Sequence, residues 1–147
     1  IRQGMAEADR TQGDLDLCVS VRVDLGDDLV AMIERRKPAV ALNMGGMGSA
    51  DTNFYNDAFK RAGYADDALT IQQLWLAGKR DEAAKRVPDA MVTQFQALGD
   101  AATVTRRLAK YRDAGVPTLN LGLDSAGPIG PKRYQLLEQI VEITRGL

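Results

Sequence analysis

The residues best suited to meet a ligand are Gly45, Gly46, Met47, Gly48 and Ser49, followed within a few positions by Asn53, Phe54, Tyr55, Asn56 and Asp57. Clustered glycines free the backbone to take positive φ and let its amides approach a bound group. The spacing fits neither of two common nucleotide motifs. A dinucleotide fingerprint needs a strand before it and a third glycine three positions after the second, whereas here a helical stretch precedes and that position is Asp51. A phosphate loop needs a lysine between its last glycine and the Ser/Thr, and Gly48 is followed directly by Ser49. Two readings stay open. In one, the segment is a helix–helix turn in which Asn53 caps and Phe54 packs. In the other, it is a loop at the mouth of a pocket, with Met47 as an adaptable apolar contact and Asn53 and Tyr55 reaching the ligand.

The rest of the composition narrows the chemistry. The chain has no histidine and a single cysteine, Cys18. That excludes the usual Ser-His-Asp and Cys-His arrangements, a closed zinc site and an internal disulfide framework. Carboxylates, Lys, Tyr, backbone groups or a borrowed cofactor remain. Asp27-Asp28, Asp66-Asp67 and Asp81-Glu82 stand near predicted helix starts, where capping accounts for them. Arg35-Arg36-Lys37 and Arg106-Arg107 read as solvated faces, Trp75 as core, and Cys18 as a small packed strand residue.

The elements that must position these residues fit one domain of 147 residues, 45% hydrophobic and 27% charged. Nineteen basic against twenty acidic side chains, a net charge of −1, supply no field for nucleic acid and no polybasic membrane patch. No apolar run approaches the ~20 residues of a membrane span, and one cysteine suits a reduced, cytoplasmic setting.

Residues 1–10 read as a helix. Over residues 15–25, Leu17, Val19, Val21 and Val23 alternate with Cys18, Ser20, Arg22 and Asp24, a strand pattern. Asp27 or Asp28 then caps a helix reaching about Met44, with Leu29, Ile33, Ala41 and Leu42 as its buried stripe and Pro38 expected to kink or split it. Asp51 or Thr52 opens a short helix ended by Gly63, and Asp66 opens another. Residues 79–87 and 89–93 give two more short helices, and residues 94–98 are ambiguous. Asp100 starts a helix with Val104, Leu108 and Tyr111 inward and Gly115 at its end. Residues 118–123 form a second strand, and the last helix turns Tyr134, Leu137, Ile140, Val141 and Thr144 inward. Two strands separated by helices imply parallel pairing, in a sheet too small for so many helices.

Several runs, taken together, resemble the luciferase-like monooxygenase superfamily, and within it the coenzyme F420-dependent oxidoreductases. They are Leu17-Cys18-Val19-Ser20-Val21-Arg22-Val23-Asp24 with Gly26-Asp27-Asp28, Pro38-Ala39-Val40-Ala41-Leu42-Asn43-Met44-Gly45-Gly46-Met47-Gly48-Ser49, and Asn53-Phe54-Tyr55-Asn56. Gly63-Tyr64, Leu76-Ala77-Gly78-Lys79, Val87-Pro88-Asp89, Leu98-Gly99-Asp100 and Ala114-Gly115-Val116-Pro117 continue the likeness in order over nearly the whole chain.

The resemblance implies a (β/α)8 TIM barrel, a fold of about 250 residues. Residues 1–147 then form the C-terminal portion of that α/β barrel domain: the last two strands, a helical insertion between them and the closing helix. It implies hydride exchange between coenzyme F420 and a small organic substrate at the carboxyl-terminal mouth of the barrel, with FMN and oxygen as the flavin alternative. Gly45, Gly46, Met47, Gly48 and Ser49 match the family's loop and are expected beside the cofactor; Asn53 and Tyr55 are expected beside the substrate.

In a barrel, Arg22, Asp24, Asn120, Gly122 and Asp124 at the downstream strand ends also face the active site. The residues that tune the cofactor lie on amino-terminal strands in this family. No catalytic residue is therefore assigned here, no metal is expected, and the chain alone is expected to be inactive. Its expected partner is the missing N-terminal part of the same barrel; association into a homo-oligomer is left open. A different class of reading is a stand-alone helical interaction module with a small sheet and no catalysis. That module would fold cooperatively as a monomer, whereas a barrel portion would expose strand edges and associate.

Overall fold

β-branched side chains at a period of two pack well on a pleated surface, and Val19, Val21 and Val23 make strand β1 of residues Cys18–Leu25 in this way. The computed structural model describes residues 2–123 and 127–147. In chain order these are α1 (Arg2–Glu7), β1, α2 (Leu29–Gly45), α3 (Phe54–Phe59), a wide π-type turn (Lys60–Tyr64), α4 (Ala65–Leu76), α5 (Arg80–Arg86), α6 (Asp89–Thr93), β2 (Ala97–Gly99), α7 (Ala101–Asp113), β3 (Thr118–Gly122) and α8 (Pro131–Arg145). The family of folds is therefore mixed α/β, built on parallel strands joined through helices.

The sheet has three strands in the order β2-β1-β3, one more than the sequence suggests. Cys18 to Arg22 pair in parallel with Thr118 to Gly122. Val23, Asp24 and Leu25 pair in parallel with Ala97, Leu98 and Gly99. Strand β2 escapes a sequence reading because three residues cannot display a period. All three of its residues are buried.

Strand β1 sorts its side chains by face. Val21 and Val23 pack with Ala97, Val104, Leu108, Leu123, Leu136 and Ile140 into one apolar cluster under α7 and α8. Cys18, Ser20 and Arg22 stand on the other face and are exposed. Cys18 is thus not a packed residue: its side chain is exposed. A second cluster is almost wholly helical. Met32, Ile33, Val40, Ala41 and Met44 of α2 meet Ala68 and Ile71 of α4, Ala83 of α5, Met91 and Val92 of α6, and Leu98 of β2.

Several expectations need correction. α2 is one uninterrupted helix of 17 residues with Pro38 inside it. The missing amide costs a hydrogen bond, while the next turns bury Val40, Ala41 and Met44, so the helix is not split at the proline. Ile33 and Ala41 are core as expected, while Leu29 and Leu42 are exposed and Met32, Val40 and Met44 take their places. In α8, Ile140 is buried with Leu136, whereas Tyr134, Leu137 and Val141 form an exposed stripe. Gly63, at φ 98°, is non-helical and breaks the path between α3 and α4, as a helix-ending glycine should. Gly115, at φ 80°, follows α7 as a terminating glycine should.

Acidic side chains do cap. The Ala31 amide donates to Asp28 Oδ1 at 2.9 Å, and the Thr103 amide donates to Asp100 Oδ1 at 2.7 Å. The hydroxyl and the backbone N–H of Thr103 hold the Asp100 carboxyl below the usual carboxylate range. A carboxyl depressed in the folded state contributes stability above its unfolded value of about 3.9 and loses it as pH falls through the lower folded value. Asparagine also caps but does not titrate. The gap in urea midpoint between wild type and Asp100→Asn should therefore be constant above about pH 5 and shift against wild type below about pH 4. A gap that does not change with pH would show that this carboxyl plays no part in the acid limb.

Candidate functional site

Each of the three central glycines of the expected site has a structural task. Gly45, the last residue of α2, lies flat against Trp75 of α4, and a Cβ there would overlap the Trp75 side chain. At Gly46 a Cβ would press on Leu42 and Trp75. Gly48 takes φ +116°, in the left-handed region, and a Cβ would overlap the Thr52 carbonyl oxygen. Above this packing, the Arg80 guanidinium lies over the Trp75 ring, 5.3 Å from its centroid.

The loop is closed by its own hydrogen bonds. The Gly46 amide donates to Leu42 O at 2.6 Å and the Ser49 amide to Thr52 O at 3.2 Å. Ser49 Oγ accepts from the amides of Asp51 and Thr52 at 3.3 and 3.0 Å, and it lies 2.7 Å from Thr52 Oγ1. Asn53, rather than Asp51 or Thr52, caps α3 by accepting from the Asn56 amide at 3.0 Å. Its own amide group donates to Asn43 O and Met44 O at 3.0 and 2.8 Å, closing the carboxyl end of α2.

Asn56 was not among the expected site residues. It is 1% exposed and donates to Met44 O and Ala68 O at 3.1 and 3.0 Å, tying α2 to α4. The Asn-x-x-Asn spacing after a glycine turn was the available sign of a double clamp. Met47, Phe54 and Tyr55 are what the segment shows to solvent, with the Phe54 and Tyr55 rings edge-on at 5.8 Å.

The amides of Gly46, Ser49, Asp51 and Thr52 are turned onto the loop itself rather than toward a ligand. The segment is an apolar rim on a rigid base. It also stands apart from the strand ends: α2 starts just after β1, and seventeen residues of helix span about 25 Å.

A different set gathers at the sheet. Arg22 crosses β3 at Gly122, where a Cβ would overlap the guanidinium. Ser20 and Asn120 are register partners beside it. Asp24, on the same strand face, is nearly buried and its Oδ2 lies 3.1 Å from Arg35 Nη2 of α2. Asp124 lies outside the described residues. At the carboxyl end of β1 a cavity of about 450 Å³ is lined by Asp24, Lys132, Gln135 and Glu138. A cavity of about 690 Å³ at the opposite end of the sheet is lined by Asp14, Asp16, Arg112 and Pro117. Among the described residues no group of three or more acidic or Cys side chains is arranged to hold a metal ion, and no helix is long and apolar enough to cross a membrane.

The sequence profile of the luciferase-like monooxygenases matches residues 1–118. The chain belongs to the luciferase-like monooxygenase family. A protein of Mycobacterium tuberculosis (strain ATCC 25618 / H37Rv), provisionally named a coenzyme F420-dependent oxidoreductase, is 35% identical over 119 residues. The match covers 81% of this luciferase-like chain and 34% of that relative, so the chain spans about a third of the relative's length. No solved structure matches the chain significantly. The match takes in the Gly45–Trp75 contact and the Asn53–Asn56 clamp and stops at the start of β3.

Two substitutions test the base of the rim. Gly45→Ala should cost about 1–3 kcal/mol through overpacking against Trp75, read from urea unfolding. Asn53→Ala should cost a similar ~1–3 kcal/mol by stranding the Asn43 carbonyl and the Asn56 amide, while Met44 O keeps its bond from Asn56. A neutral result for both would mean that the loop is free to move.

Proposed function

We propose that the chain is the C-terminal part of a (β/α)8 barrel oxidoreductase that exchanges hydride between coenzyme F420 and a small organic substrate. The observation that carries the proposal is the 35% identity to a relative that bears an F420-dependent name. Parallel pairing of β1 with β3 suits two neighbouring staves of a barrel, with the helices α2 to α6 and the short β2 as the segment between them. β2 covers only the Val23–Leu25 end of the other edge of β1. The rest of that edge is where an upstream stave would pair, and the partner supplying it is the N-terminal part of the same barrel. The lone Cys18 suits a reduced, cytoplasmic setting.

A deazaflavin supplies two-electron hydride chemistry when bound. The contribution of this chain is to shape and border the site. Gly45, Gly46, Gly48, Ser49 and Asn53 build a loop a helix length, about 25 Å, from the carboxyl end of β1, so Met47 and Tyr55 are not set against a group bound at the strand ends. The second reading, an FMN-dependent monooxygenase, is favoured by the family's own name.

The test is a titration of the full gene product with oxidised coenzyme F420 and with FMN, followed by fluorescence. F420 should bind and FMN should not, and Met47→Ala and Tyr55→Ala, a helix length from the strand ends, should leave F420 binding unchanged. Preference for FMN would establish the second reading, and binding of neither would overturn both.

A further inference from the structure

The face of β1 opposite α7 and α8 carries a feature that neither the family match nor the relative's name assigns. Along β1 it shows Cys18, Ser20 and Arg22; along β3 it shows Thr118, Asn120 and Gly122. The register sets Ser20 against Asn120 and Arg22 against Gly122. Serine and threonine hydroxyls, an amide and a guanidinium are all hydrogen-bond donors. Among the described residues of the two strands, Asp24 is the one acid on this side, and it is engaged by Arg35. Just before β1, Asp16 accepts from the Thr118 hydroxyl at 2.7 Å, so the donors left on this face are those of Ser20, Asn120 and Arg22.

Gly122 is the enabling residue. Without a side chain at that place, the Arg22 stem lies across β3 and its guanidinium comes to rest over the second strand. Arg22 has a partner of its own within the protein. Its planar fork carries five N–H donors, so it can keep that partner and still present donors outward. Arg22 and Gly122 close the β1–β3 ladder on its carboxyl side, the side on which parallel α/β sheets receive ligands.

We propose that Arg22, flanked by Ser20 and Asn120 and seated over Gly122, recognises an oxyanion, phosphate or carboxylate, carried by the small molecule bound at this face. The inference rests on the barrel reading only in that a barrel turns this face inward; the recognition chemistry belongs to the chain itself. Two sources of the oxyanion are separable, the cofactor and the organic substrate.

The test uses the full gene product with inorganic phosphate as the probe, in calorimetry and in competition against F420 and FMN. Wild type should bind phosphate, Arg22→Gln should lose roughly tenfold or more in affinity, the scale of a charge-assisted bond, and Arg22→Lys should fall between. Arg133→Gln, on the exposed start of α8, should leave binding unchanged, and circular dichroism should show each variant folded. Phosphate that displaces the cofactor in an Arg22-dependent way assigns the oxyanion to the cofactor; Arg22-dependent binding without displacement assigns it to the substrate. No phosphate binding by wild type, or equal binding by folded Arg22→Gln, overturns the inference while leaving the redox reading intact. Arg22-dependent phosphate binding in a protein that takes neither F420 nor FMN overturns the redox reading instead.

Discussion

Parallel strands cannot be joined by a tight turn, so every pairing that β1 makes has to be reached through helix. That constraint organises the molecule. To reach β2 the chain builds α2 to α6, which bury an apolar cluster largely of their own. To reach β3 it builds α7, which with α8 covers the valine face of the sheet. The polar side of β1 leaves Cys18, Ser20 and Arg22 exposed. Sequence alternation, crossover and exposure are three statements of one geometry.

The helical part depends on a close approach rather than on periodicity. α2 and α4 come together where Gly45 faces Trp75, and the amide side chains of Asn53 and Asn56 lock the end of α2 in that position. Exposed Met47, Phe54 and Tyr55 are held out by this base. A glycine run that looks like a ligand cradle is here the means by which two helices touch. The amides of Gly46, Ser49, Asp51 and Thr52 and the side-chain NH2 groups of Asn53 and Asn56 are engaged in holding the turn.

How far the sequence could be read follows from the same physics. β1 was legible because eight residues with alternating valines leave little ambiguity, and the ends of α2 were legible from Asp28 and the glycines. β2 was not, since its burial comes from neighbours distant in sequence. Pro38 does not split α2, because local sterics act against the burial of Val40, Ala41 and Met44 just beyond it. α8 misled because it carries two apolar stripes, and periodicity does not say which one meets the sheet. The loop was legible as a loop. The purpose of its glycines was not, because it is set by Trp75, far along the chain.

The shortest strand has a disproportionate effect. Ala97 of β2 belongs to one apolar cluster and the adjacent Leu98 to the other, so successive residues of one strand face both. Beyond this strand, the Asp24–Arg35 pair is a further tie between β1 and α2. Free energy of local opening need not be uniform across such a molecule. Two apolar clusters that meet at one three-residue strand make Ala97–Gly99 the seam across which the opening of one need not be the opening of the other.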